Sequence, residues 1–315
     1  MTSNQKKESA LFEIPIVDPH QHFWDLDANY LPWLCDEPQI PFRYGDYAAI
    51  RRNYSPADYL RDASGFQIEA TVFIETEWDR RDPVAEMRWV SELRQRTGLP
   101  SVAVCHVPLH ESRAEELLAQ QAAFDFVRGV RHKPCAAPVP DQVQSGASAS
   151  MSDPVWRCGY AMLERHGFSF DLQTPWWHLK EAAQLNRDFP NTRIILNHTG
   201  LPADRSVEGL DAWRGAMREF AAAPNVAVKI SGLGERDRPW DLNRNREIIL
   251  QTIEIFGEDR CMFASNFPVD RLVGEFNDIY AGYIEVTQAL GLRAQAKLFR
   301  ENARRIYRID VQGEM

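Results

Sequence analysis

A single-domain (β/α)8 barrel is the fold this sequence predicts, and three observations predict it. The chain has 315 residues, 44% of them hydrophobic, enough for one large core and within the size at which α/β barrels occur. Eight short β-rich runs alternate with amphipathic stretches, and strands alternating with helices through a whole chain imply parallel pairing that eight units can close. Polar side chains collect at the ends of those runs, where the loops of a barrel's active face begin.

The runs are, in order, "IPIVD" (14–18), "ATVFIET" (70–76), "SVAVCHV" (101–107), "VRGVRH" (127–132), "FSFDL" (168–172), "RIILNH" (193–198), "VAVKIS" (226–231) and "CMFAS" (261–265). Helix starts separate several of them, such as Asp82-Pro83 before "VAEMRWVSELRQR" and Asp153-Pro154 before "VWRCGYAMLERH", because an acidic cap followed by proline suits a helix N-terminus. The barrel is expected over 14–308, with a disordered N-terminal extension over 1–13 and a C-terminal tail over 309–315. Three connections exceed what a barrel needs: 23–68, 133–152 and "GLGERDRPWDLN" after the seventh run. Long aperiodic loops inside a compact domain are usually functional, so these are expected to cover the active face.

Bulk properties remove several classes of function. The net charge is -9, the isoelectric point about 5.5, and the basic residues are scattered, so nucleic acid is not an expected partner. The first fifteen residues hold Lys6 and Lys7 but no apolar signal-peptide core. Nor does any run approach the roughly 18 apolar residues that cross a bilayer. The expectation is a cytoplasmic protein with no membrane partner, and homo-oligomerisation is left open. Five dispersed cysteines without a CxxC pair read as reduced packing residues.

Alternation along each strand brings one polar residue per strand to the active face: His20 and His22, Glu75, His106, Arg131, Asp171, His198, Lys229 or Ser231, and Asn266. His20 and His22 stand at i and i+2, so an extended chain points both the same way. Any one such residue can merely cap a helix or close a loop. Eight strands all ending in polar groups, where parallel strands are otherwise apolar on both faces, favour a shared site. Trp24, Trp78, Trp176, Trp177, Trp240 and Phe267 lie close to strand ends and can either stack on a planar or sugar ring or pack the loops. Arg236 and Arg238 after the seventh strand can neutralise a carboxylate.

In this order, "VDPHQHFWD", "GVRHKP", "FDLQ", "NHTG", "VKISGL" and "FASNFPVD" resemble the amidohydrolase-related branch of the amidohydrolase superfamily. That branch contains sugar-acid lactonases and 2-pyrone-4,6-dicarboxylate lactonase. The resemblance implies a lactonase taking a small-molecule lactone, with His20, His22 and His198 as metal ligands or direct polarisers of the substrate carbonyl. It also implies that Arg131 holds a carboxylate or hydroxyl of the substrate. His106, Trp24, Trp78, Trp177, Lys229, Arg236 and Trp240 complete the expected substrate-binding set. A decarboxylase of an aromatic or enol acid and a catalytically silent metabolite-binding barrel are the alternatives.

One departure bears on mechanism. The branch usually has Asp at the end of strand eight, and this chain has Asn266 in "SNFP". An amide is essentially non-basic and a weak, neutral ligand. The proton-accepting role is therefore expected to pass to Glu75 or Asp171, with Asp270 a third candidate. Glu75 ranks first because Glu77 shares its face and crowding raises a carboxylate's pKa. The same substitution leaves zinc on His20, His22 and His198 as an option and metal-independent hydrolysis as the preferred expectation, with no obligatory cofactor.

Overall fold

The structure, a computed structural model, describes residues 12–310. Most of the expected N-terminal extension, and residues 311–315 of the expected tail, lie outside that range. Eight parallel strands pair in sequence order: β1 (Ile16–Gln21), β2 (Ile68–Ile74), β3 (Val102–Cys105), β4 (Val127–Val130), β5 (Ser169–Leu172), β6 (Ile194–Leu196), β7 (Val226–Ile230) and β8 (Cys261–Phe263). Each falls within or across the run expected for it. The sheet closes through a parallel bridge between Gln21 and Phe267 and hydrogen bonds from His22 N to Phe267 O and from Asn266 N to His20 O, both 2.8 Å. The expected (β/α)8 barrel is therefore the observed one.

Asp18 fastens this closure. Its carboxyl accepts from Ser265 N (3.0 Å) and Ser265 Oγ (2.6 Å) on the β8 side, and from Tyr59 OH (2.8 Å) behind β1. Burial raises the pKa of Asp18 even against these donors. The anticipated helix starts are present: Asp82 caps Pro83–Thr97 through Ala85 N, and Asp153 caps Pro154–Ala161 through Val155 N.

One apolar cluster takes residues from six strands, among them Val17, Val72, Val104, Ile195, Ala227 and Met262, together with Ala303, Ile306 and Tyr307 of the helix Asn302–Tyr307. Side chains from opposite sides of a sheet cylinder meet only inside it, so this cluster is the barrel interior. The C-terminal helix plugs it from the end opposite the long loops. Among the described residues no helix is long and apolar enough to cross a membrane.

Candidate active site

Above the interior lies a cavity of about 630 Å³, a size that houses small organic ligands. Its floor is formed by His22, Arg131, Gln173, His198 and Asn266, and one wall by Trp33, Phe42 and Arg43 of the β1–β2 connection. That connection is ordered by aromatic packing: Trp24 and Tyr54 form an antiparallel bridge, Trp24 Nε1 donates to Arg52 O at 2.7 Å, and the Trp33 and Phe42 rings stack 5.9 Å apart.

Three imidazoles meet at the floor. The His20 ring lies 5.0 Å from that of His22 and 4.6 Å from that of His198, centroid to centroid. His22 Nδ1 stands 2.8 Å from Ile74 O. A carbonyl only accepts, so Nδ1 carries the hydrogen and Nε2 keeps its lone pair, with the Asn266 side chain within hydrogen-bonding reach of the ring. Burial, reinforced by the charge of Arg131, lowers the His22 pKa to about 3. Burial also lowers His20, with Lys229 and His198 adding to it, and lowers His198, with Arg43 and Arg131 adding to it. All three rings are neutral at neutral pH. Ser231 Oγ, 2.9 Å from His198 Nδ1, orients the third ring.

Arg131 is 3% exposed. Its Nε donates to Glu75 Oε1 at 2.7 Å, its Nη1 to Gln173 Oε1 at 3.1 Å, and its Nη2 to the Glu75 carbonyl. Three of five guanidinium N–H donors are thus used and two remain. Burial pushes the Glu75 carboxyl up, but the guanidiniums of Arg131 and Arg80 outweigh it and hold Glu75 well below the usual carboxylate range. Lys133 and Arg80 likewise hold Glu77 at about 2 despite its burial. The expectation of a raised pKa at Glu75 is therefore corrected: the crowding on this face is by cations, and both carboxylates are ion-paired.

The structure divides the expected residues by depth. His22, Trp24, Arg131, His198 and Asn266 line the cavity. His20, Glu75, Asp171 and Lys229 are at most 1% exposed and form a layer beneath it. His106 supports Arg131 from behind, its Nδ1 donating to Arg131 O at 3.1 Å. Trp78, Trp177, Trp240 and Arg236 are not brought to the cavity. Trp78 packs on Trp89, and Trp177 Nε1 donates to Ala137 O. The ring of Trp240 occupies the space beside Gly282 that a side chain would fill, and Arg236 pairs with Asp237 on the surface. These tryptophans pack loops onto the helical layer or, at Trp177, onto a neighbouring loop, which is the ordinary fate of large apolar side chains. Sequence reasoning missed Arg43, Arg80, Lys133, Gln173, Trp33 and Phe42. Gln173, Glu77 and Lys133 each stand two positions beyond a chosen residue, and extended chain carries i+2 on the same side one step higher.

Asn266 adopts φ 55°, a conformation asparagine tolerates better than most residues. Its Nδ2 donates to Asp270 Oδ1 at 2.6 Å, which also accepts from Tyr44 OH at 2.9 Å, while Asp270 Oδ2 accepts from Gly232 N at 3.0 Å. Asp270 is thus committed to holding the first loop and Asn266 together. Beside it, Gly232 has φ 62°, and a Cβ there would lie 2.6 Å from His198 Nδ1 and 2.8 Å from Arg43 Nη2. Glycine is required by both the conformation and the close approach.

A divalent metal does not fit this donor set as arranged. Among the described residues no three His, Cys, Asp or Glu side chains converge closely enough to hold an ion. The strand-eight position offers an amide already bonded to Asp270, and the charges that act most strongly on the three rings are the cations of Arg131, Arg43 and Lys229.

The fold and site define a barrel with a histidine-lined cavity at the C-terminal ends of its strands. A family model described as Amidohydrolase matches residues 17–309, and the chain belongs to that family. It is 36% identical over 303 residues to the uncharacterised protein y4mH of Sinorhizobium fredii, covering 94% of this chain and 99% of that protein. It is 29% identical over 302 residues to L-fucono-1,5-lactonase of Burkholderia ambifaria, covering 93% and 96%. A crystal structure of an amidohydrolase from Burkholderia multivorans with bound zinc superposes with a TM-score of 0.77 at 24% identity, covering 94% of this chain and 100% of that one.

Proposed function

We propose that this protein hydrolyses a lactone of the sugar-acid type, opening the ring by adding water to its carbonyl. The observation that carries the reading is the pairing, on one cavity floor, of a tautomer-fixed His22 whose Nε2 keeps its lone pair beside Asn266 with an Arg131 that keeps two N–H donors unspent. Similarity to the lactonase of B. ambifaria supports the substrate class.

The steps balance on this chain's own groups. Water gives a proton to His22 Nε2 as its oxygen bonds to the carbonyl carbon, and Arg131 stabilises the oxyanion that forms. Collapse breaks the bond between carbonyl carbon and ring oxygen, and the His22 imidazolium returns its proton to that oxygen. The environment that lowers His22 to about 3 makes it a weak base in the first step and its transient imidazolium a strong acid in the second, so the gain falls on protonating the poor alkoxide leaving group. The hydroxy acid produced then ionises and releases one proton to solvent.

The three buried imidazoles act without a metal in this reading, because the donor set converges on none and Asn266 supplies neither a base nor an anionic ligand. The test is proton release from a panel of aldonolactones and pyrone carboxylates, with carbon dioxide measured in parallel. Turnover of a lactone without carbon dioxide supports the proposal. Carbon dioxide release identifies a decarboxylase, and binding without turnover identifies a silent barrel.

A further inference from the structure

Beneath the cavity runs a chain of buried polar groups that the hydrolytic steps do not use. Tyr307, on the C-terminal helix, donates its hydroxyl to Asp171 Oδ1 at 2.8 Å. Lys229 Nζ donates to the same oxygen at 2.5 Å and lies 5.0 Å above the Tyr307 ring. The other neighbour of Lys229 Nζ is His20 Nδ1, at 3.4 Å. All four side chains are fully buried, so neither Lys229 nor Asp171 can touch a substrate held in the cavity.

The direction of these bonds decides what the chain does. An ammonium has three donors and no acceptor. The contact with His20 Nδ1 therefore puts the hydrogen on lysine, and a neutral His20 must carry its own hydrogen on Nε2. Among the described residues that Nε2 has no partner, although a buried unsatisfied N–H is costly. Its ring packs against His22 and His198, the two histidines that do reach the cavity.

We infer that Lys229, held by Asp171 and Tyr307, is a positioning residue that locks His20 as its Nε2–H tautomer and keeps one donor in reserve beneath the cavity floor, against His22 and His198. The C-terminal helix thereby sets the hydrogen-bonding polarity of the strand-one pair: His22 presents a lone pair and His20 presents a hydrogen. This rests on the hydrolytic reading only for its purpose, since the tautomer itself exists whether or not a lactone is the substrate.

The test is 15N NMR of the full-length protein labelled at histidine, with His20 assigned by its absence in His20→Gln. In the wild type the expected spectrum has an unprotonated Nδ1 and a protonated Nε2 at His20, and the reverse pattern at His22. Replacing Lys229 alone strands a buried carboxylate, so the informative variant combines Lys229→Met with Asp171→Asn. Its His20 should move towards the Nδ1–H tautomer or a mixture, while His22 stays fixed by Ile74 O. On a lactone that is turned over, kcat should fall by up to about a hundredfold, the scale for misplacing a neighbouring reacting group such as His22, with KM changed much less. Tyr307→Phe should give a smaller shift in the same direction. A His20 already protonated on Nδ1 in the wild type, or one whose tautomer is the same in the double variant, would overturn the inference. Absence of any lactone turnover would refute the hydrolytic reading and leave the tautomer measurement standing.

Discussion

Arg131 Nε lies 2.7 Å from Glu75 Oε1, and the two side chains are 4% and 1% exposed. The pair is the rigid back of the site. It fixes the arginine on the cavity floor and holds the glutamate carboxylate in an ion pair.

Glu75→Gln should therefore act mainly on stability. Leaving a buried guanidinium without its counter-charge typically costs about 3–5 kcal/mol, read as a lower urea midpoint at unchanged slope. Glu75 is held below its ordinary value of 4.5 and Glu77 at about 2. The stability these pairs supply is complete above pH 4.5 and is lost as pH falls through the folded values. A Glu75→Gln variant of normal stability with no turnover would return Glu75 to the role of base.

Acid should loosen the fold before those carboxylates titrate. His22 and His132 are lowered to about 3 and His106 to about 4, chiefly by burial, against an ordinary 6.5. Between 6.5 and those values the unfolded chain binds more protons than the folded one, so stability falls as pH drops through that window. Each fully buried histidine contributes up to about 1.4 kcal/mol per pH unit. Urea midpoints at pH 7.5, 6.0 and 5.0 should decline in order, and a flat profile would show that these rings are protonated in the fold.

Asn266→Asp would set a second carboxyl 2.6 Å from Asp270 Oδ1, where burial already raises the pKa of Asp270. Two carboxylates so close share a proton. Because the folded pair titrates higher than the unfolded chain, the variant should match the wild type in melting temperature at low pH and fall progressively behind it as pH rises. A constant difference across pH would mean that the loop has moved the two groups apart.

Gly232→Ala tests how tightly His198 is held. A Cβ 2.6 Å from His198 Nδ1 at φ 62° forces the ring or the backbone to move, and misplacing a reacting group by about 1 Å can cost on the order of a hundredfold in rate. The expected result is a fall in kcat with a modest loss of melting temperature. Full activity would place His198 outside the catalytic group.

The barrel and most of the floor were legible because parallel strands are apolar on both faces, so His22, Arg131, His198 and Asn266 stood out against their surroundings. Depth was not legible. His20, Asp171, Lys229 and Glu75 were chosen as the polar residues at strand ends, yet these positions lie about one layer below the cavity. The residues that reach it, Gln173 and Glu77, are two positions, or roughly 6–7 Å, further along. The aromatic choices failed for another reason. Proximity in sequence to a strand end does not say whether a loop folds inward, as at Trp33 and Phe42, outward onto the helices, as at Trp78 and Trp240, or against another loop, as at Trp177. Arg43 sits in an aperiodic connection and carried no signal.

The central claim, that the buried imidazoles and Arg131 open a lactone by themselves, is tested most directly by proton release from the metal-stripped wild-type protein on a lactone it turns over. The result expected is steady turnover that survives chelation and falls by about 10²–10⁴-fold in His22→Ala, the range for losing a positioned general base. Complete loss of activity on stripping, restored by one equivalent of zinc, would contradict the account and make the three histidines ligands.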